Sequence, residues 1–292
     1  MTATSNQNLR GIWLMIAAMF VFAVADTLIK FAAGLLTPAQ TTLLLTGGGL
    51  VVFAVMALAQ GARLRAREAL SAVMMIRYVS EICGTFCIVL ALTYVPLSTV
   101  GAILQATPLV VAAGAVVFLN ETVSWRRWTA IAVGFVGVLM IIKPGSEAFD
   151  LNVLWPVLAM IGLAGRDLTT RVTPPGMASA ALATYTMAAL VPLAALWCLL
   201  AGDPLIPAAP NWPLFIAMIA GGALGYLLII ASVRTAEVSV VSPYRYSRLI
   251  FLLIFGVTFF GERPDALTLL GAAIIIVSGI YTMWRDRLAK QR

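Results

Sequence analysis

The sequence predicts an all-α integral membrane protein whose ten transmembrane helices form two inverted five-helix repeats around a central cavity. Three observations support this fold class. The composition is that of a membrane protein, because 62% of the 292 residues are hydrophobic and only 11% are charged, against roughly 25% charged residues in a soluble domain. The other two observations are an internal repeat and an uneven distribution of lysine and arginine.

The chain repeats itself at an offset of 141 residues. Without a gap, Asp26 falls on Asp167, and Lys30 falls on Arg171. Further coincidences are Gly61 with Gly202, Gly84 with Gly225, Ser98 with Ser239, and Glu121 with Glu262. A duplicated membrane unit is typical of secondary transporters, in which the substrate path lies between the halves.

Ten apolar runs are long enough, at about 20 residues each, to cross a bilayer core as helices. They lie approximately at 11–33, 38–59, 72–93, 98–119, 125–142, 152–172, 177–201, 212–233, 239–260 and 265–284. The predicted domains are a first repeat at 1–142, a linker at 143–151, a second, inverted repeat at 152–284 and a basic tail at 285–292. Ala23-Val24-Ala25 imitates a signal-peptide cleavage site, but the repeat favours keeping this segment as the first helix.

Lysine and arginine predict the orientation in the membrane. With the N-terminus in the cytoplasm, thirteen of these residues lie in cytoplasmic segments, and two, Lys143 and Arg263, lie in outer loops. Because cytoplasmic loops are rich in Lys and Arg, we expect both termini on the inner side of a bacterial cytoplasmic membrane. Each repeat has five spans, an odd number, so the second repeat enters the bilayer inverted relative to the first.

The composition and motifs argue against several functions. The chain has no histidine, which excludes histidine catalysis and histidine metal ligands, and we expect no metal and no cofactor. Cys83 and Cys87 do not have a metal or redox spacing, and with Cys198 they are predicted to be buried small hydrophobes. The net charge of +7 lies in short loops and does not indicate nucleic-acid binding. The sequence has no G-x-x-x-x-G-K-[ST] motif, so ATP is not expected to drive the protein directly.

The last two spans of each half carry a family resemblance. The first copy reads ALTYVPLSTVGAILQATPLVVAAGAVVFLNE over 91–121, and the second reads SVRTAEVSVVSPYRYSRLIFLLIFGVTFFGE over 232–262. With Ala91-Leu92-x-Tyr94, Pro108 and Glu121, the chain resembles the EamA-type branch of the drug/metabolite transporter superfamily over essentially its whole length. The resemblance implies ten helices in two inverted repeats, with both termini cytoplasmic.

The superfamily suggests several substrates. It includes amino-acid exporters of the YddG type, vitamin and nucleotide-sugar carriers, and S-adenosylmethionine uptake proteins, and the chain is most similar in general design to the amino-acid exporters. The second copy departs from the first at Leu249, which replaces Pro108. Just before Leu249 stands Pro243-Tyr244-Arg245-Tyr246-Ser247-Arg248, a polar and aromatic opening that looks adapted to a particular ligand.

Charged side chains inside the spans are candidate site residues, because each costs about 2.5–3.5 kcal/mol at the centre of a bilayer. Arg77 and Glu81 lie four residues apart on one face of the third span, with Tyr78 beside them and Thr85 continuing the face. They form either an internal ion pair or a cavity wall in which Glu81 attracts an ammonium group.

Two more pairs with the same spacing, Asp26 with Lys30 and Asp167 with Arg171, recur at one repeat position. Recurrence favours structural ion pairs that hold two helix ends at the water interface.

The ninth span brings a second group of candidates. Tyr244, Arg245 and Arg248 form one stripe at spacings of about one turn. One arginine is expected to pair with Glu81 or Asp167. The other either binds a substrate carboxylate through two hydrogen bonds or is neutralised as well.

Polar positions in the fourth and ninth spans also enter the prediction. Gln105 is the repeat counterpart of Tyr246, and both are candidates for lining the cavity, although a lone Gln also bonds between helices. Pro108 either frees a carbonyl for the cavity or only kinks its helix. Glu121 and Glu262 are expected to cap helix ends.

An intramembrane aspartyl protease is a distant alternative, since Asp26 and Asp167 resemble a catalytic pair. The predicted topology places them towards opposite membrane faces, whereas a dyad requires near contact. A channel would more often repeat one pore-lining segment, and no filter-like segment occurs. We therefore expect a transporter rather than an enzyme, one that exports zwitterionic amino acids through the bilayer. Uptake of S-adenosylmethionine or a vitamin is the alternative, and the sequence does not decide between proton coupling and facilitated diffusion.

Overall fold

The computed structural model describes residues 5–62, 69–119, 125–147, 149–173, 179–207 and 211–290. Within these ranges the chain is helical and forms no strand. The α-helices are α1 (Ser5–Ala32), α2 (Pro38–Ala59), α3 (Ala72–Tyr94), α4 (Leu97–Leu104), α5 (Thr107–Leu119), α6 (Trp125–Ile142), α7 (Leu154–Val172), α8 (Ser179–Ala201), α9 (Trp212–Thr235), α10 (Val238–Val241), α11 (Ser247–Phe260) and α12 (Ala266–Lys290). Short 3₁₀ segments at Leu151–Val153 and Ser242–Tyr246 precede α7 and α11.

The helices have the length and composition of membrane spans. In the described part of the chain, eight segments are long and apolar enough to cross a bilayer, one of them being α4 together with α5. A shorter apolar helix, Trp128–Ile142, lies within α6. The predicted all-helical, multi-pass membrane protein is confirmed, and the count of ten spans stays a prediction.

Several helix ends follow directly from local sequence. Thr37 begins α2 with a reciprocal capping box, in which its hydroxyl accepts from the backbone of Gln40 and the Gln40 side chain accepts from the backbone of Thr37. These contacts satisfy backbone groups that a helix start leaves unpaired. Gly61 and Gly202, which coincide in the repeat, follow α2 and α8 at φ of 69° and 75°, a left-handed conformation that glycine adopts without strain.

The largest helix interfaces join the two halves of the chain. They are formed by α3 with α7, α1 with α9, α2 with α8, and α6 with α12. The offset of 141 residues places α1 over α7 and α3 over α9, so exchanging the halves turns the first interface into the second. The contact pattern is therefore the same from either half.

The fourth and ninth apolar runs are both interrupted at the same repeat position. The first break lies at Gln105–Ala106, between α4 and α5, and the second lies where the Ser242–Tyr246 segment meets α11. Pro108 has no N–H for the Leu104 carbonyl, and that carbonyl instead accepts from Oγ1 of Thr107 at 2.6 Å. The carbonyl that Pro108 frees is thus satisfied locally and is not left for a cavity.

One end of the bundle, which we term the linker end, carries the loops at 33–37, 143–147 and 202–207. Oγ1 of Thr37 donates to Asp203 at 2.6 Å, and Lys143 donates to Asp265. Lys143 and the backbone N–H of Thr268 together lower the pKa of Asp265 to about 2. These contacts tie loops of the first half to loops of the second.

Candidate functional site

Most of the charged side chains within the bundle lie where α3 packs against α7. Small residues allow the two helices to approach closely, since a Cβ on Gly162 would lie 2.4 Å from the backbone nitrogen of Gly84. Membrane helices commonly pack through such small residues. The contact creates a group that we term the arginine–carboxylate cluster: Arg77, Glu81, Arg166, Asp167 and Arg245.

Arg166 is at the centre of the arginine–carboxylate cluster. Its guanidinium lies 3.6 Å from Oε1 of Glu81 and 3.0 Å from Oδ1 of Asp167. The Glu81 side chain is only 7% exposed, and a buried carboxylate without a partner is strongly unfavourable. The sequence predicted Arg77 or an arginine of the ninth run as the partner of Glu81, but the packing of α3 on α7 supplies Arg166.

Arg77 connects three helices. Its Nε donates to Oγ1 of Thr186 at 3.2 Å, and its Nη1 donates to the Arg166 carbonyl at 3.1 Å and to Oγ1 of Thr170 at 2.5 Å. Glu81 still attracts Arg77 electrostatically. The hydrogen bonds of Arg77 nevertheless link α3 to α7 and α8, which is a structural arrangement.

Arg245 and Arg166 line open space inside the bundle. Arg245 is exposed although protein surrounds it on most sides, and the Arg166 side chain is 33% exposed. Arg245 interacts electrostatically with both Asp167 and Arg166. The cluster thus contains three arginines and two carboxylates, with two of the arginines facing a cavity.

Asp26 is paired across the halves. Its Oδ2 accepts from Nε and Nη2 of Arg248 at 3.0 and 2.5 Å, and the guanidinium lies 5.4 Å from the ring centroid of Phe22. The sequence predicted that Asp26 pairs with Lys30 and that Arg248 turns to Glu81 or Asp167. Packing of α1 against α11 instead brings Arg248 to Asp26.

Lys30 and Glu262 form a second contact between the halves, at the linker end. Nζ of Lys30 lies 3.9 Å from Glu262 and donates to the Val95 carbonyl at 2.6 Å. Glu262 accepts from the backbone N–H of Leu97 and Ser98, at 2.5 and 2.9 Å, and so caps the start of α4. The predicted capping role is therefore seen for Glu262, while Glu121 lies outside the described residues.

The other predicted site residues occupy varied positions. Tyr78 donates to the Ala69 carbonyl at 2.9 Å, Thr85 is half-buried on α3, and Gln105 is buried at the break after α4. Tyr244 is exposed beside Arg245. The positions of these residues leave their predicted role as cavity lining a prediction. Asp167 contacts Arg166, and Arg171, exposed one turn further along α7, has an interaction of its own.

Tyr246 points towards the last helix. Its side chain is 5% exposed, and its hydroxyl is buried without a hydrogen-bond partner among the described residues. The hydroxyl occupies a notch at Gly279, where a Cβ would come within 1.7 Å of it. This packing separates Tyr246 from Arg245 and Arg248 on the same segment.

Comparison with known proteins decides the family. Residues 9–143 and residues 151–284 each match the model of the EamA-like transporter family. The chain belongs to the EamA-like transporter family. It is therefore a membrane transporter of the drug/metabolite transporter superfamily, and the resemblance seen in the sequence is confirmed.

Relatives of this EamA-like transporter include proteins with different named substrates. An S-adenosylmethionine uptake transporter of Rickettsia conorii is 30% identical over 205 residues, covering 69% of this chain and 68% of the relative. A riboflavin transporter of Brucella anthropi is 32% identical over 200 residues, covering 67% and 70% of the two chains. The pseudopaline exporter CntI of Pseudomonas aeruginosa is 24% identical over 274 residues, covering 92% and 94%.

A solved structure shares the fold of this EamA-like transporter. It is the crystal structure of a protein that is 18% identical in sequence, with a TM-score of 0.57, and the alignment covers 98% of this chain and 99% of the other. At this identity the likeness shows the fold alone.

Tyr226 of α9 is a site residue that the sequence analysis missed. Its hydroxyl is hydrogen-bonded to Ser179, and it interacts electrostatically with Arg77 and Arg166. The offset of 141 residues makes Tyr226 the counterpart of Thr85, which was a predicted cavity residue. Applying the repeat to every candidate would have found Tyr226 in this EamA-like transporter.

Proposed function

We propose that this EamA-like transporter exports small zwitterionic metabolites, foremost amino acids, across a bacterial cytoplasmic membrane. The observation that carries the proposal is the arginine–carboxylate cluster beside open space. Arg245 forms no ion pair within the described residues, so its guanidinium is available to a substrate carboxylate through two parallel hydrogen bonds. Asp167, which faces the same space, would attract the substrate ammonium group.

The proposed transport cycle is alternating access between two inverted five-helix repeats, residues 1–142 and 152–284, with ten spans in all. The exchange of interfaces between the halves and the double family match support this proposal. Repeats of this kind place the substrate site between them, beside interrupted helices. The breaks before Thr107 and before α11 fit that description.

The state of the described conformation fits one step of such a cycle. At the linker end, Lys30, Glu262 and Ser98 join the halves, while Arg245 and Tyr244 near the opposite end are exposed. With the linker end placed outside, this conformation is closed outwards and open to the cytoplasm. A cytoplasmic amino acid would enter and reach Arg245.

Transport by purified protein in liposomes tests the proposal. We expect saturable exchange of radiolabelled alanine and phenylalanine, measured with and without a pH gradient to detect proton coupling. Arg245→Lys keeps the charge but loses the planar pair of donors, and we expect the apparent affinity to fall by about tenfold. Arg234→Lys, an exposed basic position at the end of α9, is the matched control. Unchanged affinity in Arg245→Lys would exclude Arg245 as the carboxylate site.

Uptake of S-adenosylmethionine is the second candidate, because relatives at 30% identity carry that name. This molecule contains a methionine group, so it offers the cluster the same ammonium and carboxylate. The same vesicles distinguish the two functions when loaded with labelled S-adenosylmethionine. Flux of S-adenosylmethionine in the absence of amino-acid flux would replace the first proposal with the second.

A further inference from the structure

Gly222 of α9 faces open space within the bundle. A Cβ built on Gly222 would meet no atom within 4 Å. The neighbouring residues fix the direction, since Gly221 packs against Ala25 of α1 and Ile219 packs against Gly48 of α2. At about 100° per residue, Gly222 lies between the direction of α1 and the direction of α2.

The lipid-facing side of α9 lies on the opposite side of the helix. It is marked by Ile216, Leu224 and Leu227, which are 61%, 49% and 45% exposed. By the same helical rotation, all three lie about 120–160° from Gly222. The space over Gly222 is therefore interior, and the partial exposure of Gly222 shows that it is a cavity rather than packed protein.

An aromatic wall and the charged cluster adjoin this space. Tyr226 follows Gly222 by one turn on the same face of α9, and its ring packs edge to face on Phe53 with centroids 5.1 Å apart. Tyr226 also interacts electrostatically with Arg77 and Arg166. The open volume thus connects an aromatic surface to the arginine–carboxylate cluster.

We propose that the space over Gly222 is the side-chain compartment of the substrate site, and that it takes a large apolar or aromatic group. This inference rests on the proposed function. The repeat places Gly222 at the position of Glu81, so one half supplies a carboxylate where the other supplies room. An amino acid held by Arg245 and Asp167 would direct its side chain towards Gly222 and Tyr226. The substrate class is therefore amino acids with bulky side chains, with Gly222 setting the upper size limit.

Substitution of Gly222 tests the size limit. Filling the space with Gly222→Leu should weaken competition by phenylalanine and tryptophan by about tenfold or more, while alanine still competes, in counterflow assays in liposomes. Gly47→Leu is the matched control, because a Cβ on Gly47 also meets nothing within 4 Å and Gly47 lies near the exposed face of α2 that carries Val51. An equal loss for small and large amino acids, or an unchanged profile, would overturn the compartment.

Chemical labelling tests the compartment independently of transport. In a variant in which Cys83, Cys87 and Cys198 are replaced by alanine, Gly222→Cys should react with a small water-soluble thiol reagent, and phenylalanine should slow the reaction. Gly47→Cys should react slowly and show no protection. Protection without flux would retain the compartment and reject the proposed function, whereas flux without protection would retain the function and reject the compartment.

Discussion

Asp26 and Arg248 show how a single ion pair is stabilised inside a membrane. Asp26 lies about 9 Å from the linker end of α1, at 1.5 Å per residue, and it accepts two hydrogen bonds from Arg248. The Phe22 ring lies beside the guanidinium, which reduces the access of water to the pair. Separating two such charges leaves one of them buried and unpaired, and this cost exceeds the net worth of the pair.

Removing one member of this pair should therefore destabilise the protein more than removing both. We expect Asp26→Asn to lower stability by about 3–5 kcal/mol, and the double variant Asp26→Asn with Arg248→Met to recover much of this loss. The measurement is the midpoint of thermal unfolding in detergent. As a control, Asp265→Asn at the linker end, whose partner is Lys143, should cost at most about 1 kcal/mol. Equal losses at the two sites would contradict the assigned burial.

The buried hydroxyl of Tyr246 leads to a second prediction. It has no hydrogen-bond partner among the described residues, and burying such a group costs about 1–3 kcal/mol. Tyr246→Phe should thus leave unfolding unchanged or raise its midpoint, with transport retained. Gly279→Ala should destabilise, because its Cβ would collide with that hydroxyl. Loss of transport in a stable Tyr246→Phe protein would instead restore the cavity role first predicted for Tyr246.

At the scale of elements, α4 depends on a carboxylate from the other half of the chain. Glu262 accepts from the first backbone N–H groups of α4, where an anion also interacts favourably with the helix dipole. Lys30 binds the Val95 carbonyl next to the same point. Glu262 therefore holds α1, α3 and α4 together at the linker end.

Glu262→Ala should open the linker end. We expect Val95→Cys, a buried position, to react several-fold faster with an impermeant thiol reagent when Glu262 is also replaced, in the background without native cysteines. Glu147→Ala, an exposed carboxylate in the loop after α6, should have no such effect. Equal labelling rates with and without Glu262 would show that the cap does not close this end.

Periodic and local signals predicted the elements better than the site. The capping box at Thr37 and the paired turns at Gly61 and Gly202 depend on neighbouring residues, so one sequence suffices to find them. Ion pairs depend on which helices touch, and four-residue spacing does not contain that information. Spacing therefore suggested Asp26 with Lys30, whereas the packing of α1 on α11 determined the observed partner.

The whole molecule joins its halves at two kinds of contact. Broad helix interfaces, such as that of α3 with α7, run through the bundle, and the charged contacts of Lys30, Asp26 and Arg166 cross between the halves at different depths. The repeat is therefore not symmetric in charge, because Glu81 has Gly222 as its counterpart. Such asymmetry allows one fold to keep two exchangeable halves while the substrate meets different chemistry on each side.

The orientation of the bundle is the prediction that connects this arrangement to direction of transport. The thirteen-to-two distribution of Lys and Arg places the linker end outside, and the loops at 33–37, 143–147 and 202–207 meet at that end. Ser146→Cys should therefore react with an impermeant reagent added to intact cells, while Asn6→Cys, at the start of α1, should react only after the cells are opened. Both positions are exposed, so a failure to react cannot arise from burial. The reverse result would place the arginine–carboxylate cluster on the outward-open side, and the described conformation would then be one that loads substrate for uptake.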